Sequence, residues 1–393
     1  METKLENRTL IICLEGRIDT NNAAETEQKI FSVVEEKKND TEKVKVDAGN
    51  LEYISSAGLR VLMKLRKSLG YPLEVLNVSR DVYDIFETTG FTELFDVKKA
   101  LREISVEGCE VIGEGGNGKV YRLDGETIAK VYYGERNPLE KIRKNQEVTK
   151  NVFVQGIPSA IAFDVVKVGA DYGVVYEMID ARTMLQQISE HPENIEEYAD
   201  MIADTLMTLH STEFAPGVLQ DAKDNARNDI LAVSDRGYYT GEETDRLMKL
   251  IDEIPDRNTF IHQDFHPGNM MYQNGEIVLI DVEDSGVGHP VLDLSSMYLV
   301  YVTAAKSNWG KTQGGITSKQ FAKIWKVIIS KYFNTTDKSR LDEINRILLG
   351  YSRIKFLRGI ATSPSVPDFL RKPVTKMTKK KLFSTIDTLH AIP

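Results

Sequence analysis

The chain has 393 residues, of which 41% are hydrophobic and 28% charged, and its formal net charge is −9. Those values are typical of an ordinary soluble protein, and the length predicts two or three domains. No apolar run reaches about 18 residues, which excludes a transmembrane helix.

The first residues, METKLENRTLIICLEGRID, lack the basic start and the small-residue cleavage site of a signal peptide. The two cysteines, Cys13 and Cys109, each lie among apolar or β-type residues in separate segments. We interpret them as buried free thiols, because this arrangement favours neither a disulfide nor a metal site. Together these features predict a cytoplasmic protein.

Charge is distributed unevenly along the chain. Residues 101–300 hold 36 acidic and 17 basic side chains, whereas residues 301–393 hold 5 acidic and 18 basic ones. The basic segment includes RKPVTKMTKKK, which we interpret as a solvated helical face, with contact to an acidic partner or nucleic acid as the alternative. Nucleic-acid binding is not expected, because no basic patch with interleaved aromatic residues accompanies it.

Residues 1–100 alternate between predicted strands and helices. TLIICLEGRID, KVKVDAG and LEVLNV are predicted strands, while NNAAETEQKIFSVVEEKK and SAGLRVLMKLRKSLG are predicted helices, the second ending at Gly70 as its C-cap. DVYDIFETTGF follows the last of these strands. This order predicts a small sheet covered by helices, with a domain boundary near residues 101–107.

The segment VDAGNLEYISSAGLRVL resembles the motif of the anti-sigma factor antagonist (STAS) domain, in which a strand ends in a serine-bearing turn that starts a helix. EGRIDTNNA, after the first strand, resembles the same family. The resemblance implies an α/β STAS domain over residues 1–102, with Ser56 as the residue that a partner kinase phosphorylates and Gly58 at the helix start. Ser55 stands where members often have Asp, and a turn in which Ser55 is only an N-cap is the alternative. A phosphate on Ser56 would lie at a helix N-terminus, where backbone N–H groups favour an anion.

A glycine-rich segment follows in VIGEGGNGKVYRLDGETIAKVYY. The pattern G-x-G-x-x-G-x-V is formed by Gly113, Gly115, Gly118 and Val120, with Gly116 inside it. Residues typical of strands follow the glycines, so the segment predicts strand–turn–strand–turn–strand rather than the strand–turn–helix of a dinucleotide fingerprint. That arrangement is typical of the kinase loop whose backbone N–H groups cover the phosphates of ATP.

Lys130 lies in the middle of the third predicted strand, inside IAKVY. A lysine in so apolar a strand is costly unless it is paired, and here it would hold the α- and β-phosphates of ATP. We expect its partner on the next helix, with Glu147 as the first choice and Glu140 as the second. An edge-strand lysine that points to solvent is the alternative.

YGVVYEMIDA is interpreted as the linker between two lobes. In that position the backbone groups of Glu177 and Ile179 would bond adenine, and Tyr176 would lie at the back of the pocket. This assignment rests on chain order, because the side chains themselves are not chemically distinctive.

The segment FIHQDFHPGNMMYQNGEIVLIDVEDSG carries the strongest chemical pattern. Asp264 and Asn269 have the Asp-to-Asn spacing of a kinase catalytic loop, and a hairpin with Asn274-Gly275 as its turn leads back to Asp281. Phosphoryl transfer needs a carboxylate that orients the acceptor hydroxyl and hard oxygen ligands for Mg²⁺. The pattern therefore predicts binding of ATP and Mg²⁺.

The variant H-x-D-x-H-P-x-N and the segment LIDVEDSGVGHPVLDLSSM resemble the aminoglycoside phosphotransferase and choline kinase family. The resemblance implies an α+β bilobal protein-kinase-like fold, with an N-lobe over residues 103–180 and a largely helical C-lobe over residues 181–393. It implies that Asp264 is the catalytic base and that Asn269 and Asp281 are the Mg²⁺ ligands. It further implies that the loop is braced by three side chains, Asp293, His262 and His266.

Two features depart from that pattern. His289 stands where the family often has Asp, and the glycine loop is closer to that of protein kinases. A zinc site formed by His262, His266 and His289 is the alternative, but the spacing does not fit a standard zinc site.

The sequence thus predicts a Mg·ATP-dependent phosphotransferase that acts on a hydroxyl of a small molecule, with an N-terminal regulatory domain. Many acids between residues 190 and 299 favour a cationic acceptor such as an aminoglycoside or amino alcohol, with solvated helical faces as the alternative. A protein partner is expected for the STAS domain. A signalling protein kinase, or a nucleotide-binding scaffold in a partner-switching pathway, is the alternative function.

Overall fold

The computed structural model describes residues 1–134, 137–306, 315–363 and 366–392. The chain divides into two compact units, Met1–Ile104 and Ser105–Pro393, each with its own apolar core. Among the described residues, no helix combines the length and the apolar character needed to cross a membrane. Cys13 and Cys109 are free and half-buried, so they are less enclosed than the sequence predicts.

The first unit is a five-stranded sheet with three helices, followed by a short strand. The sheet order follows the chain order, the first pair is antiparallel, and the remaining pairs are parallel. Its strands are β1 (Glu2–Glu6), β2 (Thr9–Ile18), β3 (Lys43–Ile54), β4 (Glu74–Val78) and β5 (Asp96–Lys99), with β6 (Arg102–Glu103) after them. Its helices are α1 (Ala23–Glu36), α2 (Ser56–Leu69) and α3 (Arg80–Thr88). The predicted alternation of strands and helices is confirmed.

The turn between β3 and α2 is shaped by one serine and one glycine. Ser55 Oγ accepts the backbone N–H groups of Ala57 (3.2 Å) and Gly58 (3.4 Å), so Ser55 caps the helix. Ser56 is the first helical residue and is exposed. The helix ends at Gly70, whose φ of 75° gives the left-handed cap that the sequence predicts.

Gly58 is required by close packing. A Cβ atom at this position would lie 2.7 Å from Ile54 Cγ1 and 2.8 Å from Ile18 Cγ2. Both isoleucines belong to the buried core of the first unit, so neither can move freely away from the helix.

The second unit begins with antiparallel strands and one helix. Its strands lie in the order β10–β11–β9–β8–β7. They are β7 (Val111–Glu114), β8 (Gly118–Arg122), β9 (Thr127–Tyr132), β10 (Ala162–Val168) and β11 (Asp171–Glu177), and α4 (Leu139–Val154) lies between β9 and β10 in the chain. The predicted strand–turn–strand–turn–strand arrangement around the glycines is confirmed.

The remainder of the second unit is largely helical, with short strands in and around residues 260–286. These residues carry the predicted kinase-like loop and are named the catalytic segment. Its helices are α5 (Met184–Glu190), α6 (Ile195–Ser211), α7 (Ala222–Ser234), α8 (Gly241–Asp252), α9 (Pro290–Tyr298), α10 (Ser318–Tyr332), α11 (Lys338–Thr362) and α12 (Asp368–Phe383). Its strands are β12 (Arg182–Thr183), β13 (Phe260–Ile261), β14 (Met270–Gln273), β15 (Glu276–Leu279) and β16 (Gly286–Val287). β14 and β15 form the predicted hairpin, and positive φ at Asn274 (52°) and Gly275 (86°) confirms its turn.

We expect Gly58→Ala to destabilise the first unit by about 1–2 kcal/mol, because overpacking outweighs the better helix propensity of alanine. Hydrogen exchange of the full chain measures this, since faster exchange should be confined to peptides from residues 1–104. Ser56→Ala, two residues away on an exposed position, is the matched control and should leave exchange unchanged. Equal exchange in the two variants would contradict the packing argument.

Candidate active site

The catalytic segment is held by one buried carboxylate. Asp293, near the start of α9, is completely buried and accepts the backbone N–H groups of His262 (2.8 Å) and Gln263 (3.0 Å). His210 Nε2 lies 3.2 Å from the same carboxylate. Burial raises the pKa of Asp293, but these polar neighbours outweigh burial and hold that pKa below its ordinary value.

Gln263, immediately before Asp264, is held from several directions. Its φ of 67° is unusual for a residue other than glycine, so the peptide needs external support. Lys355 Nζ on α11 donates to Gln263 O at 2.5 Å, and Asn225 Nδ2 donates to Gln263 Oε1 at 3.1 Å. Lys355 was not singled out by sequence reasoning, because its contact depends on a residue far away in the chain.

Asp264 and Asn269 are brought together by the short helical turn that follows. Asn269 Nδ2 donates to Asp264 O at 3.1 Å and lies 3.3 Å from Asp264 Oδ2. Burial raises the pKa of Asp264, but His266 and the charge of Lys355 outweigh this effect and hold it below its ordinary value. The carboxylate is therefore ionised near neutral pH, as a proton acceptor must be.

The three predicted histidines lie in or near this segment, and each accepts a backbone N–H through Nδ1. His262 accepts from Asp264 (3.4 Å), His266 from Gly268 (3.1 Å) and His289 from Val291 (3.1 Å). Such contacts stabilise turns and helix starts. Among the described residues, no group of three or more His, Cys, Asp or Glu side chains has an arrangement that could hold a metal ion.

The β14–β15 hairpin returns the chain to the same place. Ile280 donates its backbone N–H to Asn269 O at 3.0 Å, which brings the next residue, Asp281, beside the catalytic segment. Asp281 has a φ of 62°, so the chain turns sharply at this residue. An amide oxygen and a carboxylate from neighbouring positions are a donor set that suits Mg²⁺, which completes its shell with water and phosphate oxygens.

Lys130 joins the antiparallel strands to this segment. In β9 it lies opposite Val120 of β8 and Val174 of β11, so its backbone is in the middle of the sheet. Its Nζ pairs with Asp281 and with Glu283, the latter at 2.8 Å. Burial lowers the pKa of Lys130, but the two carboxylates outweigh burial and hold it above its ordinary value.

Glu283 is the centre of a buried polar cluster. Besides Lys130, it accepts hydrogen bonds from the hydroxyl of Tyr132 and from that of Tyr176, the latter at 2.9 Å. Burial and the neighbouring Asp281 raise the pKa of Glu283 to about 7, although Lys130 opposes the shift. A carboxylate in this position fixes both the lysine and the two tyrosine rings.

The predicted partner of Lys130 is corrected by this cluster. Glu147 and Glu140 are exposed on α4, whereas Lys130 pairs with Asp281 and Glu283. The buried side of α4 is largely apolar and includes Ile142, Val148 and Val152. The available signal was the second carboxylate in IDVED, two residues after Asp281.

The glycine loop is shaped by close contacts at one end and open space at the other. Gly115 donates its backbone N–H to Gly118 O at 3.0 Å, which closes the turn. A Cβ atom on Gly118 would lie 2.2 Å from Val131 O, whereas a Cβ on Gly115 or Gly116 would meet no atom within 4 Å. A side chain is thus excluded at Gly118 by β9, while the loop tip leaves room for a phosphate group to approach its backbone.

The predicted linker follows β11. Glu177 donates its backbone N–H to Ile161 O at 3.0 Å, and its side chain accepts the N–H of Ile161 at 2.8 Å. Ile179 packs against the small apolar cluster of the strands and accepts the N–H of Ala181 at 2.9 Å. The N–H of Glu177 is therefore already used within the protein.

These elements define a phosphotransferase with a protein-kinase-like fold. Residues 108–322 match the model of the phosphotransferase enzyme family, and the chain belongs to that family. Residues 1–104 match the model of the STAS domain, so an α/β STAS domain precedes the α+β phosphotransferase domain.

Each of the two parts also resembles individual proteins. BtrV of Bordetella bronchiseptica, named as a candidate anti-sigma factor antagonist, is 35% identical over 91 residues, which are 22% of this chain and 76% of BtrV. The ADP-bound aminoglycoside phosphotransferase APH(2'')-Ib is 15% identical, with 77% of this chain and 97% of that chain covered and a TM-score of 0.46. The streptomycin–ATP complex of APH(2'')-IIa is 16% identical, with 68% and 90% covered and a TM-score of 0.44.

We expect the free energy of unfolding to fall by about 1–3 kcal/mol between a pH of about 5 and a pH of about 8, because the pKa of Glu283 is raised to about 7 and its ionisation is therefore less favourable in the folded protein than in the unfolded chain. Glu283→Gln cannot ionise and should remove most of this fall. Glu147→Gln is the matched control and should change the fall by less than about 0.5 kcal/mol, because Glu147 is exposed. Denaturant unfolding of the unaltered protein and both full-length variants at the two pH values measures the difference, and a fall that persists in Glu283→Gln would contradict the role given to Glu283.

Proposed function

We propose that this protein transfers the γ-phosphate of Mg·ATP to a hydroxyl group of a small molecule, and that its STAS domain regulates this activity or binds a protein partner. The observation that carries the proposal is the convergence of Asp264, Asn269, Asp281 and Lys130 from three separate segments. A carboxylate, an amide, a second carboxylate and an ammonium group are the set that phosphoryl transfer requires.

Each side chain has a distinct task in this proposal. Asp264 orients the acceptor hydroxyl and accepts its proton, which requires the ionised form that its lowered pKa maintains. Mg·ATP, when bound, supplies the phosphoryl group and a divalent charge, with Asn269 and Asp281 as the residues that would hold the metal. Lys130 would hold the α- and β-phosphates, and it must then exchange part of its present contact with Asp281 and Glu283.

The acidic helices give less support to a cationic acceptor than their composition indicates. Several of these acids are neutralised by lysine or arginine neighbours: Glu196, Asp200, Asp204, Asp252 and Asp256. Asp229 lines a cavity of about 50 Å³ beside Gln263 and Lys355, but it too has a cationic neighbour, because Arg358 Nε lies 3.3 Å from its carboxylate. Burial raises the pKa of Asp229, although the charges of Arg358 and Lys355 oppose the shift.

We expect Asp264→Asn to lower turnover by roughly a hundredfold or more while ATP affinity stays nearly unchanged, because only proton transfer and acceptor orientation are lost. Labelled ATP with Mg²⁺ and a panel of amino alcohols and aminoglycosides measures turnover, and calorimetry measures ATP binding. Asp235→Asn, on an exposed position, is the control for charge. Undiminished turnover in Asp264→Asn would contradict the proposal, and absence of ATP binding by the unaltered protein would contradict any kinase function.

A signalling kinase is the second candidate function. Its support is the exposed Ser56 beside Ser55, whose own hydroxyl is occupied as the helix cap. An added phosphate at Ser56 would place about two negative charges at the N-terminus of α2, where backbone N–H groups favour them.

If signalling is the function, incubation of the full chain with labelled ATP and Mg²⁺ should label Ser56, as peptide mapping measures. Ser56→Ala should remove most of the label, while Ser32→Ala, on an exposed position of α1, should leave it unchanged. Label that is retained in Ser56→Ala would contradict this candidate.

A further inference from the structure

The last long helix, α12, has two very different sides. Thr375, Thr378 and Leu382 are buried, and α12 packs with this side toward α11. On the opposite side, Phe369 is 77% exposed and Met377 53% exposed, which is unusual for side chains of this kind. The segment RKPVTKMTKKK, which the proposed function leaves without a role, forms most of this helix.

The exposed side consists of two parallel stripes, because residues four apart lie above one another on a helix. One stripe is apolar over Phe369, Pro373 and Met377, with Leu370 (43% exposed) beside it. The adjacent stripe is basic and consists of Lys372, Lys376 and Lys380. We name this exposed side the basic face, and it consists of Phe369, Leu370, Lys372, Pro373, Lys376, Met377, Lys380 and Lys381.

Other basic residues of α12 serve the fold instead. Arg371 donates to the backbone carbonyls of Ile360, Ala361, Ser363 and Val366, and so fastens α12 to the end of α11. Lys379 donates to Tyr238 O (3.0 Å) and pairs with Glu243 (2.9 Å). These contacts hold the basic face outward.

The lysines of the basic face form no ion pair among the described residues. The one acid of the helix, Asp368, pairs with Arg371 rather than with these lysines. Four ammonium groups without an ion pair in the described part of the chain, beside protruding apolar side chains, need a partner that is anionic and apolar at once. The surface of an anionic lipid bilayer presents anionic phosphate groups directly above apolar acyl chains, and so offers both properties over an extended area.

We propose that the basic face is a docking surface for anionic lipid bilayers. Phe369 and Met377 enter the interfacial region, and the four lysines meet the lipid phosphates. Because the apolar side chains protrude, the surface fits a planar bilayer better than a peptide, which binds a groove. The attachment is reversible and weakens with salt, since one helix face without a lipid anchor binds only moderately.

The test uses the full-length protein and sedimentation with lipid vesicles. We expect binding to vesicles that contain roughly one-third phosphatidylglycerol and little binding to vesicles of phosphatidylcholine alone. Two double variants, Phe369→Ser with Met377→Ser and Lys372→Gln with Lys376→Gln, should each weaken binding by roughly tenfold or more, given about fivefold for each lysine. The thermal midpoint of each variant shows that the fold is retained.

The control is Lys319→Gln with Lys326→Gln, which makes the same charge change on exposed positions of α10 and should leave binding within about twofold. A Phe369→Trp variant gives a second readout, because its fluorescence should shift to the blue on anionic vesicles only.

Three results would overturn the proposal. The first is an equal loss of vesicle binding in the α10 control and in the α12 lysine variant. The second is undiminished binding by Phe369→Ser with Met377→Ser. The third is an unshifted fluorescence of the Phe369→Trp variant when it is bound to vesicles. A fourth result would also contradict lipid docking: a short DNA duplex that displaces the protein from vesicles, and whose binding depends on Lys372 and Lys376 but not on Phe369 and Met377, would indicate a general polyanion site.

Discussion

The arrangement of the phosphotransferase domain depends on one partly buried ammonium group. Lys130 lies in the middle of a sheet, where an unpaired charge would be strongly unfavourable. Its carboxylate partners, Asp281 and Glu283, come from the segment after β15, 151 and 153 residues away in the chain. The requirement to pair this charge therefore fixes the glycine loop relative to the catalytic segment, and it also positions the hydroxyls of Tyr132 and Tyr176.

A second buried charge performs the same task at the other end of the site. Asp293 accepts two consecutive backbone N–H groups, and this holds Gln263 in a left-handed conformation that would otherwise be unfavourable. The conformation directs Asp264 away from the buried side of the loop, leaving its side chain 49% exposed. Rigid support of this kind matters for chemistry, because small displacements of a reacting carboxylate lower rates steeply.

Local patterns were sufficient for several features of the fold and the candidate site. The turn at Asn274-Gly275, the cap at Gly70 and the strands around the glycine loop follow from nearby residues. The partner of Lys130 does not follow from nearby residues. Glu147 on α4 lies at a plausible distance in the sequence, and only the packing of α4 shows that its side chain is exposed. Lys355 was missed for the same reason, since nothing in its own neighbourhood indicates a contact with Gln263 O.

The uneven charge of the chain has two different structural meanings. Many acids of α6 and α8 are balanced by lysines or arginines of neighbouring elements, so their effect on the surface is largely local. The lysines of the basic face have no such neighbours among the described residues, and they alternate with apolar side chains that the fold leaves uncovered. The acids of α6 and α8 and the lysines of the basic face therefore differ in their effect, because only charges without an ion pair remain available to attract a partner.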